Sequence, residues 1–175
     1  RLSAREHAGL GKGGTWREGQ KVEWAGWYEH VDFTGSVRSF PDSGGVVATR
    51  VAVGCTPKSG SAGLIQNLPR DLVASVTAQY VERAPKPAEL FSRGGHAATG
   101  TFDIGNPNLN IEAAKTIEAG LRRATGPLRF ELTGYYTRFN GFIFRNLTGA
   151  MCDGDFASCG TTGTDGGTSF PRAPG

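Results

Sequence analysis

The clearest strand pattern in the chain lies at residues 72–80, which read Leu-Val-Ala-Ser-Val-Thr-Ala-Gln-Tyr. Residues at even positions, from Leu72 to Tyr80, are apolar, whereas Ser75, Thr77 and Gln79 make the opposite face mostly polar. An alternation with a period of two predicts a β-strand that has one apolar and one mostly polar face. We place this strand at residues 71–82.

Two further alternating runs follow and are joined by a short link. The first spans residues 112–123, and the second spans residues 128–145 and ends in an aromatic cluster of Phe139, Phe142 and Phe144. Because Gly126 lies in the link at 124–127, the two runs predict a β-hairpin.

The connections between these strands alternate between long and short. Residues 83–110 are rich in proline and glycine and predict a loop, with one helical turn at 88–91 after Pro87. So long a loop is unusual in a compact soluble domain, whereas transmembrane β-barrels have short periplasmic turns and long outer loops. The alternative is a soluble antiparallel sheet with one solvated face, and charges such as Glu118 and Arg122 fit both interpretations.

Composition narrows the class of protein. The chain has 175 residues and a formal net charge of +3, which is too small to predict a nucleic-acid partner. It contains no apolar run of about 18 residues, so no transmembrane helix is expected. Residues 61–148 hold 9 of the 27 glycines, and the flanks hold the other 18 in 87 positions. The middle of the chain is therefore the better patterned part.

A group of motifs lies along and after the long loop. They are Arg83-Ala84-Pro85, Glu89-Leu90-Phe91, Gly105-Asn106-Pro107-Asn108-Leu109 with Glu112, and Glu118-Ala119-Gly120-Leu121. Together they resemble the β-barrel of TonB-dependent outer-membrane receptors over residues 61–148. The segment 94–102, Gly-Gly-His-Ala-Ala-Thr-Gly-Thr-Phe, is similar to a subgroup of that family linked to zinc and sometimes haem uptake.

The resemblance implies an all-β fold in which antiparallel strands and long loops form an incomplete piece of a transmembrane β-barrel. The family's barrel belongs to the 22-stranded plugged class. At about 9–11 residues per strand, its strands alone would exceed the length of this chain. A location in the bacterial outer membrane, in contact with its lipid, is also implied.

The implied function is import of a metal ion or metal chelate, with zinc, haem and siderophores as candidate ligands. TonB would act through a plug that this sequence does not contain, so we expect no transport by the chain alone. No cofactor and no nucleic-acid partner are expected. The sequence contains no Ser/His/Asp set, phosphate loop or pair of catalytic carboxylates, so an enzyme is not predicted. The alternative function is a soluble or surface-exposed all-β binding module.

Three residues of the long loop are candidate metal ligands. Imidazole is a common zinc ligand, and His96 with Glu89 and Asp103 is a candidate outer recruitment site for the metal. The alternative for His96 is a role in loop packing. We expect Glu112 to anchor a turn by hydrogen bonds rather than to bind the ligand. Gly105 is expected to adopt a positive φ beside the turn pair Asn106-Pro107.

The chain contains three cysteines. Cys152 and Cys159 bracket a short segment, and a disulfide between them is favoured because an outer loop lies in an oxidising setting. The alternative is metal capture by the two thiols with Asp153 and Asp155. Cys55 has no evident partner in the sequence.

The two flanks do not continue the sequence pattern of the family. Residues 1–60 show little sustained alternation, although 20–33 and 46–53 are candidate strands, and residues 149–175 read as a Gly/Thr-rich loop or tail. Our hypothesis is that both flanks are degenerate or out of frame. Genomic DNA that encodes no receptor-like sequence in another frame would contradict it.

Overall fold

The fold consists almost entirely of β-strands. A computed structural model describes residues 2–15, 17–38, 48–96, 101–152, 159–160 and 165–169. In chain order its elements are β1 (Leu2–Thr15), β2 (Gln20–Arg38), β3 (Ala48–Cys55), β4 (Lys58–Leu68), β5 (Leu72–Arg83), α1 (Pro87–Phe91), β6 (Arg93–His96), β7 (Thr101–Ile104), β8 (Glu112–Arg123), β9 (Phe130–Asn140), β10 (Asn146–Cys152), β11 (Cys159–Gly160) and β12 (Asp165–Ser169). Among these residues no helix has both the length and the apolar character needed to cross a membrane.

The larger sheet is antiparallel and open. Its strands follow the order β1-β2-β4-β5-β8-β9. β3 pairs with the second half of β2, from Val31 to Arg38, which we call its far half. Within the described residues the edge strands β1 and β9 do not pair with each other, so the sheet is open and is not a closed barrel. The predicted all-β fold, with an incomplete barrel sheet, is confirmed.

Three short connections between neighbouring strands lie at one end of this sheet. The links 16–19, 69–71 and 124–129 join neighbouring strands there, and the hydroxyl of Thr125 donates to the Asp71 carboxylate at 2.6 Å, tying two of them together. The long excursions, including residues 84–111, leave from the opposite end. We call the two ends the turn end and the loop end. This asymmetry is that of transmembrane β-barrels.

The register sorts side chains into an apolar and a polar face. On the apolar face, Ala62, Ala78, Ile117 and Tyr136 form one row across four strands, and Leu64, Val76 and Ala119 form the next. On the polar face, Thr77 lies opposite Glu118, which lies opposite Tyr135. The apolar rows run from the row of Leu72 to the row of Ala78, a span of about 20 Å along the strand at about 3.4 Å per residue.

The region of residues 1–60 contains paired strands. β2 pairs with β1 on one side, and on the other with β4 along its first half and β3 along its second. The amide of Glu29 donates to the carbonyl of Pro57 at 3.1 Å, which bridges the break between β3 and β4. The candidate strands at 20–33 and 46–53 correspond to β2 and β3.

A second, smaller sheet is built from the outer loops, in the order β11-β10-β12-β7-β6. The prediction of loop for these segments was wrong, because the pairings arise between distant segments, including a parallel pair of β12 with β7. The predicted helical turn is α1. β9 ends at Asn140 and not at 145, since Gly141 adopts a φ of 67° and leaves the strand geometry.

Candidate functional site

The motif residues of the long loop meet at the loop end of β5 and β8, on the polar face. Arg83, the last residue of β5, lies directly opposite Glu112, the first residue of β8. Loop residues 84–111 leave the sheet from this pair and fold back over it. We call the group formed by Arg83, Glu89, Glu112 and the backbone they hold the loop anchor.

Arg83 holds two carboxylates at once. Its Nη1 donates to both oxygens of Glu89 at 3.2 and 3.0 Å, and its Nε and Nη2 donate to the two oxygens of Glu112 at 3.4 and 3.2 Å. The side chains of Glu89 and Glu112 are only 13% and 10% exposed. Such two-pronged pairs suit the planar guanidinium, and they fix geometry as well as charge.

The charge of Arg83 is stabilised in this setting. Burial acts against the charged guanidinium, but the hydrogen bonds to Glu112 and Glu89 and the attraction of both carboxylates outweigh it, so the pKa of Arg83 is raised. One cation facing two carboxylates that also accept backbone hydrogen bonds forms a structural clamp. Both carboxylates of the loop anchor are already engaged by Arg83 and by backbone amides.

Each carboxylate also binds a backbone amide. Glu112 accepts a hydrogen bond from the amide of Ile143 at 2.7 Å, which draws the segment after β9 onto the loop anchor. Glu89 accepts one from the amide of Lys86 at 2.7 Å, which caps the start of α1, where Pro87 occupies the first turn. The anchor therefore joins β5, β8, α1 and the residues after β9.

An apolar core lies beside the anchor. Leu90 is fully buried and packs in one cluster with Leu109, Ile143, Val31 and Phe33. Val31 and Phe33 belong to the far half of β2, so the long loop packs against the outer extension of that strand. The ring of Phe91 lies against Gly35, where an added Cβ would meet it at 2.5 Å.

Gly105 is needed for a close backbone approach and not for a positive φ, which corrects the expectation from sequence. Its amide donates to the carbonyl of Ser92 at 2.6 Å, and an added Cβ would lie 2.6 Å from the backbone of Leu90. Asn106 accepts a hydrogen bond on its side-chain oxygen from the amide of Asn108 at 3.0 Å, a local turn with Pro107 at its second position. The turn delivers Leu109 to the core.

The structure places the three candidate metal ligands in two different settings. Glu89 belongs to the loop anchor, and Asp103 is 12% exposed and paired with Arg145 at 2.6 Å. His96 ends β6 opposite Thr101, and its side chain lies outside the described residues. Among the described side chains, no group of three or more His, Cys, Asp or Glu could hold a metal. The metal set therefore stays a prediction.

The cysteines separate into one buried thiol and one backbone pair. Cys55 is a free, buried thiol, and burial, followed by the charge of Asp32, raises its pKa. Cys152 and Cys159 lie opposite each other in the backbone register of β10 and β11. Asp153 and Asp155 lie outside the described residues. The predicted disulfide and its metal-binding alternative both remain untested.

Several residues of the site carry no signal in the sequence. The amide of Ile143, the carbonyl of Ser92 and the guanidinium of Arg145 take part only because the loops fold onto the sheet. The aromatic-rich segment 139–144 has no pattern from which a hydrogen bond between the Ile143 amide and Glu112 can be predicted.

The fold and the anchor define a sector of an outer-membrane receptor β-barrel. The family model described as TonB dependent receptor-like, beta-barrel matches residues 22–170, and the chain belongs to that family. The family consists of outer-membrane transport receptors of Gram-negative bacteria. The matched region extends past 61–148 on both sides, so most of each flank takes part in it.

One solved structure with the same fold is a double mutant of the Serratia marcescens hemophore receptor HasR in complex with its hemophore HasA and heme. The TM-score is 0.67 at 14% sequence identity. The match covers 96% of this chain and 29% of that chain, so the chain spans less than a third of the length of this relative. At this identity the likeness shows the shared fold.

Proposed function

We propose that the chain forms part of an outer-membrane receptor that imports a metal chelate of the haem kind. In this proposal the apolar face contacts lipid, the polar face lines the barrel interior, the turn end faces the periplasm, and the loop anchor supports the ligand-binding loops. Import itself requires a plug and a TonB contact beyond these 175 residues. The observation that carries the proposal is that the larger sheet has one apolar and one polar face, with long loops held in place at its loop end.

The exposed apolar face supports the contact with lipid. Ile117, Leu132 and Tyr136 are 54%, 67% and 68% exposed, and they lie on adjacent strands of one continuous apolar surface. A soluble monomer rarely exposes a contiguous apolar patch of this extent. The same surface argues against the alternative of a soluble binding module.

An aromatic cluster at the loop end is evidence that the ligand is planar. Phe139 lies on the polar face, in the row of Val81, and meets Phe142 edge to face at a centroid distance of 5.3 Å. Phe142 stacks on Phe144 at 6.4 Å with an interplanar angle of 13°. All three rings remain partly exposed. Exposed stacked rings favour a flat apolar chelate over a bare metal ion.

The zinc hypothesis keeps His96, Glu89 and Asp103 as its ligands. A zinc ion at Glu89 or Asp103 would compete with Arg83 or Arg145 for the carboxylate, which makes zinc the weaker candidate. A zinc titration of the His96→Ala chain beside the unchanged chain tests this set. Equal zinc affinity of the two would remove His96 from it.

Ligand choice is tested by titrating haem, a ferric siderophore and zinc into the full chain folded in detergent micelles. We expect haem to bind and the Phe142→Ala chain to lose about fivefold in affinity, since an aromatic contact contributes about 1 kcal/mol beyond its burial. Phe130→Ala, at the turn end, is the matched control. Haem binding that is the same in both variants, or absent from the folded chain, would contradict the haem proposal.

A further inference from the structure

We propose that the apolar face carries a binding site for an anionic, phosphate-bearing lipid at its loop end. The site consists of an apolar groove for an acyl chain and of three cations, Lys58, Lys115 and Arg138, for the phosphate. The inference rests on the membrane location proposed above and adds a specific ligand to it.

The groove has a volume of about 910 Å³ and lies across β4, β5, β8 and β9. Its floor is made of small residues, among them Gly60, Ala62 and Ala78, and its far wall includes Ile117 and Tyr136. The groove forms because these small side chains lie between the larger side chains of the apolar face. An extended hydrocarbon chain has the shape and polarity to fill it.

The cations border the groove at its loop end. Tyr80, Lys115 and Arg138 lie in one cross-strand row, one step beyond the apolar row of Ala78 and Ile117. Lys58 lines the same groove at the start of β4. This row falls where the apolar rows end, which is the level expected for lipid headgroups.

The cations are arranged unfavourably in the absence of an anion. Lys115 and Arg138 are direct cross-strand neighbours, and like charges placed opposite each other destabilise a sheet. Within the described part of the chain, neither forms a salt bridge. Lys115 contacts the Tyr80 ring, with its Nζ 5.9 Å from the ring centroid.

One carboxylate lies close by and is already engaged. Glu82 accepts hydrogen bonds from the hydroxyl of Tyr80 at 2.5 Å and from the backbone amide of Lys58 at 2.8 Å. It offsets only part of the charge of three cations. A phosphate at this level would satisfy Lys115 and Arg138, and its acyl chain would occupy the groove beneath them.

The test compares three probes on the full chain in neutral detergent by native mass spectrometry. They are dimyristoyl phosphatidic acid, dimyristoyl glycerol with the same chains and no phosphate, and inorganic phosphate as a competitor. We expect phosphatidic acid to be retained over dimyristoyl glycerol and to resist displacement by inorganic phosphate. The doubly substituted Lys115→Gln/Arg138→Gln chain should retain about twenty-fivefold less, since each basic residue near an anionic headgroup contributes about fivefold.

Two controls separate charge and shape. Arg122→Gln/Arg129→Gln removes the same charge elsewhere and should leave retention unchanged. Ala78→Trp fills the groove and should lower retention, whereas Ala119→Trp on the same face should not. Equal retention of both lipids by a chain that inserts into vesicles, or full displacement by inorganic phosphate, overturns the inference and leaves the membrane location intact. A chain that associates with no lipid overturns both.

Discussion

Arg83 and Glu112 face each other across β5 and β8, with the Arg83 guanidinium donating to both oxygens of the Glu112 carboxylate at 3.4 and 3.2 Å. The pair is the last one in the register of β5 with β8, and the long loop begins directly after Arg83. Because Glu112 also holds the Ile143 amide, one carboxylate fixes the bases of two successive outer excursions.

Replacing Glu112 with alanine should destabilise the chain by about 2–4 kcal/mol. The substitution leaves the partly buried Arg83 with one carboxylate fewer and the buried Ile143 amide without its acceptor. The measurement is the free energy of unfolding in urea of the chain folded in detergent micelles. Glu118→Ala, an exposed carboxylate on the polar face, is the matched control and should change it by no more than about 0.5 kcal/mol. Equal effects of the two substitutions would remove the anchor role.

Gly105→Ala should loosen the loop by about 1–3 kcal/mol. The new methyl group would lie 2.6 Å from the backbone of Leu90 and Phe91, which cannot move aside as a side chain tip would. Gly134→Ala, where nothing lies within 4 Å, should be neutral or slightly stabilising. Limited proteolysis within residues 84–111 reports the difference. Equal cleavage rates for both variants would show that the close approach at Gly105 is not needed.

The strands of the middle region could be predicted from local pattern alone. In β5, the alternation from Leu72 to Tyr80 corresponds directly to the two faces of the sheet, because the strand is paired in regular register on both sides along this length. The flanking strands carry weaker patterns. β4 contains Gly60 and Gly63, and β1 is rich in glycine, so their backbones pair in register while their side chains show little alternation.

The residues of the loop anchor could be predicted only in part from the sequence. Its motif residues could be named from the sequence, but the role of each depends on the register of β5 with β8, which places Arg83 against Glu112. Gly105 illustrates the limit. A glycine beside an Asn-Pro pair suggests a positive φ. What Gly105 meets instead is the backbone of Leu90, 15 positions earlier in the sequence, and no local pattern reveals that contact.

Cys55 should react slowly with iodoacetamide at neutral pH. Its thiol is buried, and its raised pKa keeps it protonated when the reagent needs the thiolate. Mass spectrometry of the native chain should therefore show little labelling of Cys55. After reduction and unfolding, all three cysteines should be labelled. Rapid labelling of Cys55 in the folded chain would contradict its burial. Labelling of Cys152 and Cys159 before reduction would contradict the predicted disulfide.

A charge on the apolar face should impair membrane insertion, and the same charge one residue away should not. Leu132→Arg places a guanidinium on the proposed lipid face. Such a charge costs about 2–4 kcal/mol at the bilayer midplane and less toward either interface. Thr133→Arg, its neighbour on the polar face, is the matched control. The yield of vesicle-inserted, protease-protected chain reports the effect. Equal yields would contradict the assignment of the faces.

The most direct test of the membrane assignment uses two tryptophans that lie three residues apart on opposite faces. Trp24 lies on the apolar face, in the row of Ala62, and Trp27 lies on the polar face, opposite Ser59. Two single-tryptophan chains, one keeping Trp24 and the other Trp27, with the remaining tryptophans including Trp16 replaced by phenylalanine, are inserted into vesicles containing lipids brominated on the acyl chains. We expect strong quenching of Trp24 fluorescence and weak quenching of Trp27 fluorescence. Stronger quenching of Trp27, or no quenching of either, would contradict it.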